Sequence, residues 1–232
     1  MITNERLINF IHSLEPDRDP ALEAIRREAL AAAVPIIRDE TAALLKCLIA
    51  ALKPKAILEV GTAVGYSAYL MAEAMPAEAE LVTIESYAPR VMQARENLWN
   101  SPYGSRIRIM DMDAGEALEQ LLAGGRQFDF VFLDAAKAQY PVWLPQLLRL
   151  LSPGGMLLSD NILQEGSLAE SRFLIDRRER TIHSRMREYL FTLTHHPLLT
   201  TSILPVGDGI SLSVRKEEMP AEETRTTDPG EA

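Results

Sequence analysis

The chain has 232 residues and a mass of 25.8 kDa, enough for one α/β domain with a sizeable core. Hydrophobic residues make up 47% and charged residues 25%, a balance that rules out wholesale disorder. Twenty-four Lys and Arg against 33 Asp and Glu give a net charge of −9, which argues against promiscuous nucleic-acid binding while leaving room for a local basic footprint.

Periodicity predicts helices over 5–14, 21–34 and 41–53, the last closed by Pro54. The single cysteine, Cys47, lies in the third and reads as packing. It cannot form an internal disulfide, and so points to a reducing compartment. From Lys55 onward short apolar runs at 56–60, 80–84, 106–110, 128–133 and 155–159 alternate with amphipathic stretches at 66–75, 89–100, 115–123 and 140–151. That alternation means a parallel sheet with helices on both faces. A charged helix is expected over 167–194, followed by strands at 199–204 and 210–214. Gly207-Asp208-Gly209 between them is a hairpin signal, so the last strand should run antiparallel. No linker or repeat divides the chain. The expectation is one domain over 1–216, with 1–54 its helical N-terminal part, and an acidic, disordered tail over 217–232. The N-terminus has no basic lead into an apolar core, and no uncharged run nears the roughly 20 residues of a membrane span. A cytoplasmic protein without membrane attachment is expected.

The first strand runs into Glu59-Val60-Gly61-Thr-Ala-Val-Gly65-Tyr-Ser67, where glycines let the backbone turn tightly against a ligand at the carboxyl edge of the sheet. The G-x-x-x-G spacing lacks the glycine that seats a dinucleotide pyrophosphate, and there is no Walker lysine. Alone it is equally a plain strand–helix turn. The second strand ends in Glu85, suited to the two hydroxyls of a ribose, and the third ends near Asp113-Ala114, placed for an adenine. Together these fit an adenosine without a pyrophosphate, as in S-adenosylmethionine, with its amino-acid end near Glu59 and Gly61.

Strand four ends in Asp134-Ala-Ala-Lys137 and strand five in Asp160-Asn161. Either motif alone reads as a turn or helix cap. At neighbouring strand ends, Asp134, Asp160 and Asn161 form an all-oxygen set for Mg²⁺, or for Mn²⁺ or Ca²⁺, with positions left for substrate. Such a cation would acidify and orient one of two vicinal ring oxygens for attack on the methyl group, and Lys137 could take the proton or hold the oxyanion.

These residues resemble the cation-dependent O-methyltransferases of the catechol and caffeoyl-CoA type: ILEVGTAVGYSA, VTIE, FLDAAK and LLSDN look like that family's signatures, and the likeness covers nearly the whole chain before the tail. Val34-Pro-Ile-Ile37, the run from Asp134 to Tyr140, Asp160-Asn-Ile-Leu163 and His196-Pro197 resemble most a bacterial branch that makes 5-methoxyuridine from 5-hydroxyuridine at the tRNA wobble position. The resemblance implies the Rossmann-like class I fold, a seven-stranded, mostly parallel sheet with an antiparallel last strand and extra N-terminal helices. It implies S-adenosylmethionine contacts at Ile37, Ser67, Glu85, Asp113 and Ala114, with Asp134 shared between cofactor, metal and catalysis. It implies metal ligation by Asp134, Asp160 and Asn161, and a homodimer. Ile37 departs from the Met usual in that branch. The C5 hydroxyl and C4 carbonyl of 5-hydroxyuridine would offer a catechol-like chelate, reached readily in an unstacked anticodon loop.

Six arginines against two acids between Arg172 and Arg187 make a local basic segment. Arg172, Arg177, Arg178 and Arg180 are candidate tRNA phosphate contacts, with a solvated helix face as the alternative. Three other readings stand beside this one. They are a small-molecule methyltransferase for catechols or hydroxycinnamoyl thioesters, a nicotinamide dehydrogenase disfavoured by the glycine spacing, and a non-catalytic adenosine-binding module.

Overall fold

The computed structural model describes residues 4–217; the expected disordered tail falls, but for Glu217, outside them. Three helices open the chain, α1 (Glu5–His12), α2 (Pro20–Ala31) and α3 (Asp39–Leu52). Asn4 and Asp19 cap the first two through side-chain oxygens on backbone N–H groups. The alternating part follows as β1 (Ala56–Val60), α4 (Tyr66–Ala74), β2 (Glu80–Glu85), α5 (Ala88–Trp99), β3 (Ile107–Asp111), α6 (Ala114–Ala123), β4 (Phe128–Leu133), α7 (Tyr140–Leu150), β5 (Leu151–Ser159), α8 (Arg180–His195), β6 (Leu199–Leu204) and β7 (Ile210–Arg215). The seven strands form one sheet in the order β3-β2-β1-β4-β5-β7-β6, and only β7 runs against the others.

The continuous apolar runs of the central strands follow from burial on both faces. Leu58, Val60, Val82, Ile84, Val131 and Leu133 point into a core shared with α6, α7 and α8. Their neighbours Ile57, Leu81, Phe130 and Phe132 point the other way, into a core shared with α2, α3 and α4. The order reverses direction between β1 and β4, so the carboxyl ends of these two strands open a crevice there.

Three expectations need correction. Strand five starts at Leu151: its register against β4 jumps from Phe128↔Leu151 to Phe130↔Met156, and a bulge absorbs Pro153-Gly154-Gly155. The charged helix over 167–194 does not form as one element. Residues 164–169 make an irregular 3₁₀ stretch, 170–179 are bends and turns, and the helix begins only at Arg180. The reason is packing: a buried stripe at helical spacing (His183, Met186, Tyr189, Leu193) exists only past 180, whereas Phe173 and Leu174 face solvent. Cys47 is exposed on α3 rather than packed. Among the described residues no helix is long and apolar enough to cross a membrane.

Candidate active site

A cavity of about 720 Å³ opens at the carboxyl edge of the sheet. Its wall includes Ile37, Gly61, Ser67, Glu85, Asp113, Ala114, Asp134, Lys137, Asp160 and Asn161, so ten sequence-predicted residues meet in one place. Glu59 does not line it. Its carboxylate is wholly buried behind Ser67, accepting hydrogen bonds from the hydroxyls of Ser67 and Thr83, with the Thr62 hydroxyl in turn on Thr83. Burial pushes its pKa up to about 7 against the lowering effect of those two hydroxyls, and the charges of Asp134 and Glu85 add to the rise.

The turn after β1 depends on Gly61. Its φ of +106° lies in the left-handed region, and a Cβ there would stand 2.0 Å from the Asp134 carbonyl oxygen. The Gly61 and Thr62 N–H groups both donate to the Ile84 carbonyl, at 3.0 and 3.1 Å, tying this turn to the end of β2. There Glu85 accepts backbone N–H donations from Ala63 (3.0 Å), Ser86 (2.9 Å) and Tyr87 (2.9 Å), which fix its carboxylate against the cavity. Asp113 caps α6, taking the Gly115 N–H at 2.8 Å, and Ala114 opens that helix.

Adjacent strands bring the oxygen donors together. The ladder continues past the strand ends, with Asp134 N–H on the Val60 carbonyl and Asp160 N–H on the Leu133 carbonyl, each at 3.0 Å. The buried Tyr140 hydroxyl clamps the same place, within 3.3 Å of the Leu133 and Asp160 carbonyls and 3.2 Å of the Ala135 N–H. Asn161 adopts φ +58°, a left-handed value asparagine tolerates, and its amide nitrogen donates to Asp134 Oδ1 at 2.9 Å. Burial raises the Asp134 pKa despite the Asn161 hydrogen bond and the Lys137 charge. Burial and the charge of Asp134 together push Asp160 up to about 8. Two carboxylates are crowded at low dielectric, the Lys137 charge does not offset their burial, and a hard divalent cation is the group this donor chemistry fits. Among the described residues no three His, Cys, Asp or Glu side chains stand ready as a metal cluster; the set is two carboxylates and an amide.

Sequence reasoning missed several residues. Trp143 lines the cavity near Gly115, and Ile36 and Met112 add apolar wall. Helical spacing marks Trp143 as inward-facing but does not say that its inner end reaches the crevice. Tyr66 lines the cavity with a buried hydroxyl that has no hydrogen-bond partner among the described residues. Asp208, inside the motif read only as a hairpin, lines the cavity together with Arg38. The arginines separate into two groups. Arg172, Arg177 and Arg178 are exposed and make no ion pair with a described residue. Arg180 is turned inward instead, its Nε donating to the Ile175 carbonyl at 3.0 Å.

A family model described as O-methyltransferase matches residues 12–216. The chain is 32% identical to a catechol O-methyltransferase of Mycobacterium tuberculosis over 215 residues, 88% of this chain and 93% of that one. It is 31% identical to a catechol O-methyltransferase of Niastella koreensis over 169 residues, 72% and 76% of the two chains. The solved structure of an O-methyltransferase from Bacillus cereus in complex with SAH superposes with a TM-score of 0.81, covering 91% of this chain and 97% of that one; at 23% identity that likeness speaks to the fold. By the span of that family match and by these identities, the chain belongs to the S-adenosylmethionine-dependent O-methyltransferases of the catechol and caffeoyl-CoA type.

Proposed function

We propose that this cavity carries out methyl transfer to one of two vicinal ring oxygens, and that the ring is 5-hydroxyuridine at the wobble position of tRNA. The observation that carries the reaction is the convergence of Asp134, Asp160, Asn161 and Lys137 in the cavity that also holds Glu85 and Asp113. When bound, S-adenosylmethionine supplies the methyl group on its sulfonium, and a divalent cation at Asp134, Asp160 and Asn161, Mg²⁺ by its oxygen set or else Mn²⁺ or Ca²⁺, supplies the charge that acidifies a ring hydroxyl.

The chain's own residues do the rest. Glu85, braced by three backbone N–H groups, offers its carboxylate to the ribose hydroxyls. Asp113 and Ala114 meet the adenine, with Ile37 and Trp143 as apolar wall. Gly61 and Ser67 line the amino-acid end, and Glu59 acts there through Ser67. Lys137, in the short 3₁₀ turn Lys137–Gln139, either takes the ring hydroxyl's proton on the free amine at Nζ or, with that proton passed to solvent, holds the oxyanion there as the ammonium. The exposed, unpaired Arg172, Arg177 and Arg178 favour an RNA backbone as what lies beyond the mouth. A homodimer would present two copies of that segment. The second reading is a small phenolic acceptor, a catechol or a hydroxycinnamoyl thioester, and its catechol form draws on the names of the Mycobacterium and Niastella relatives.

The test is methylation with labelled S-adenosylmethionine and Mg²⁺, with and without chelator, on tRNA bearing 5-hydroxyuridine, a catechol and a hydroxycinnamoyl thioester. Chelator-sensitive 5-methoxyuridine is expected, with little transfer to the phenols. Asp160→Ala should lose at least about a hundredfold in rate while still binding cofactor. Methylated phenol beside untouched tRNA would overturn the substrate and keep the reaction.

A further inference from the structure

Arg38 precedes α3, is partly exposed and lines the cavity. Its guanidinium ties three loops together. Nε donates to Asp208 Oδ2 at 3.1 Å, and Nη2 lies 2.7 Å from Asp208 Oδ1 and 3.2 Å from Glu165 Oε1. The two acids differ in kind. Asp208 is mostly buried and belongs to the β6–β7 hairpin, whose Asp208 and Gly209 carbonyls each accept an N–H at 3.0 Å from Leu163 and Ile162, next to the Asp160-Asn161 pair. Glu165 is 68% exposed and sits in a left-handed run, with φ of 48° at Gln164, 56° at Glu165 and 94° at Gly166. For the non-glycine residues of that run the conformation costs energy. The inner partner of Arg38 is therefore built in, and the outer partner is loosely placed. The third nitrogen, Nη1, has no hydrogen-bond or ion-pair partner among the described residues.

We propose that Arg38 is the receptor for a phosphate group of the methyl acceptor, oriented by Asp208, with Glu165 occupying the outer edge of the guanidinium until the acceptor displaces it. The proposal rests on the cavity being the acceptor site. The chemistry is that of a planar fork: Nε and one side of Nη2 are committed to Asp208, while Nη1 and the side of Nη2 now on the exposed Glu165 match two phosphate oxygens once that carboxylate leaves. Exchanging an exposed carboxylate for a phosphate costs little, because a surface ion pair is weak. A phosphate arriving on an acceptor whose ring is seated deeper also binds at high effective concentration. Such a phosphate could come from an RNA chain or from the coenzyme portion of a thioester, and both present the same oxyanion.

The test uses the full chain with Mg²⁺ and S-adenosylhomocysteine, titrated calorimetrically with uridine, uridine 5′-monophosphate and coenzyme A. Wild type should prefer a phosphate-bearing probe to uridine, and whichever of the two binds tighter names the source. Arg38→Gln should weaken that probe about tenfold, the loss of one charge-assisted contact, without changing uridine. Glu165→Gln alters an exposed side chain, leaves the fold intact, and should strengthen the same probe by about threefold. In the methylation assay Glu165→Gln, which lies outside the cavity wall, should leave the KM for catechol unchanged. Equal probe affinities in wild type and Arg38→Gln, or a Glu165→Gln protein that binds phosphate no better, would overturn the proposal. Arg38-dependent phosphate binding in a protein that methylates none of the three acceptors would uphold the subsite and sink the activity.

Discussion

Glu59 is an acid sealed from solvent, and its environment fixes how it responds to pH. In the unfolded chain it loses its proton near its ordinary value of 4.5, and in the fold near 7. Between those values the folded state holds a proton that the unfolded state has lost, so stability falls as pH rises through that window. Keeping Glu59 ionised at pH 8 then costs the fold about 3 kcal/mol. Glu59→Gln removes the titration and keeps a group that Ser67 and Thr83 can bond. Chemical denaturation from pH 4.5 to 8 should show the wild type losing stability relative to the variant by roughly that amount; parallel curves would place the titration elsewhere. Sequence reading put Glu59 beside the ligand. Its position near the end of β1 was legible, but its depth was not, because depth is set by where Ser67 and Thr83 meet it from α4 and β2.

At the level of elements, β1, β4 and β6 were readable to the residue, the first two because runs such as FDFVFL buried on both faces leave no ambiguity, and the half-exposed edge strand β6 because the 207–209 hairpin signal follows it. What failed was whatever depends on a neighbour. The bulge in β5 exists because β4 demands a register that Pro153-Gly154-Gly155 cannot follow, and the 170–179 turns exist because nothing there packs at helical spacing. The donor set was legible because parallel neighbours end side by side, whereas the Tyr140 clamp depends on where α7 turns that hydroxyl back onto the strand ends, and the Arg38–Asp208 pair joins residues 170 positions apart. Three predictions belong here. Gly61→Ala drives a Cβ into the Asp134 carbonyl and should destabilise by about 2–4 kcal/mol, read as a lowered Tm, because neither backbone can retreat without breaking the β1–β4 ladder. Replacing Arg172, Arg177 and Arg178 by Gln should weaken tRNA binding and flatten its salt dependence by up to about three in log–log slope, with Tm unchanged. Arg180→Gln should do the reverse, lowering Tm because Ile175 and Phe173 lose a donor for their carbonyls. Unchanged tRNA affinity in the triple variant would return the segment to a solvated surface.

At the scale of the whole molecule, an apolar stripe near the N-terminus is left uncovered by the chain's own packing. Helix α1 carries Leu7, Phe10 and Ile11 at i, i+3 and i+4, and Leu14 follows in the turn just past its end, yet these are 50%, 60%, 41% and 66% exposed, and Ile8 is the one residue of the helix that is buried. An apolar stripe in water costs about 25 cal/mol per Å², and a two-fold partner presenting the same stripe would remove that cost on both copies at once. Sedimentation should therefore give twice 25.8 kDa at micromolar concentration. Phe10→Asp with Leu14→Asp should give monomer without loss of Tm, since neither side chain is packed within its own chain. A 25.8 kDa species in the wild type would remove the dimer. The cavity wall, from Ile36 through Asp208, is assembled within a single chain. The monomeric variant should accordingly bind cofactor and methylate a small acceptor at the wild-type rate, and should weaken only on tRNA, where two arginine segments on one assembly would add their contacts.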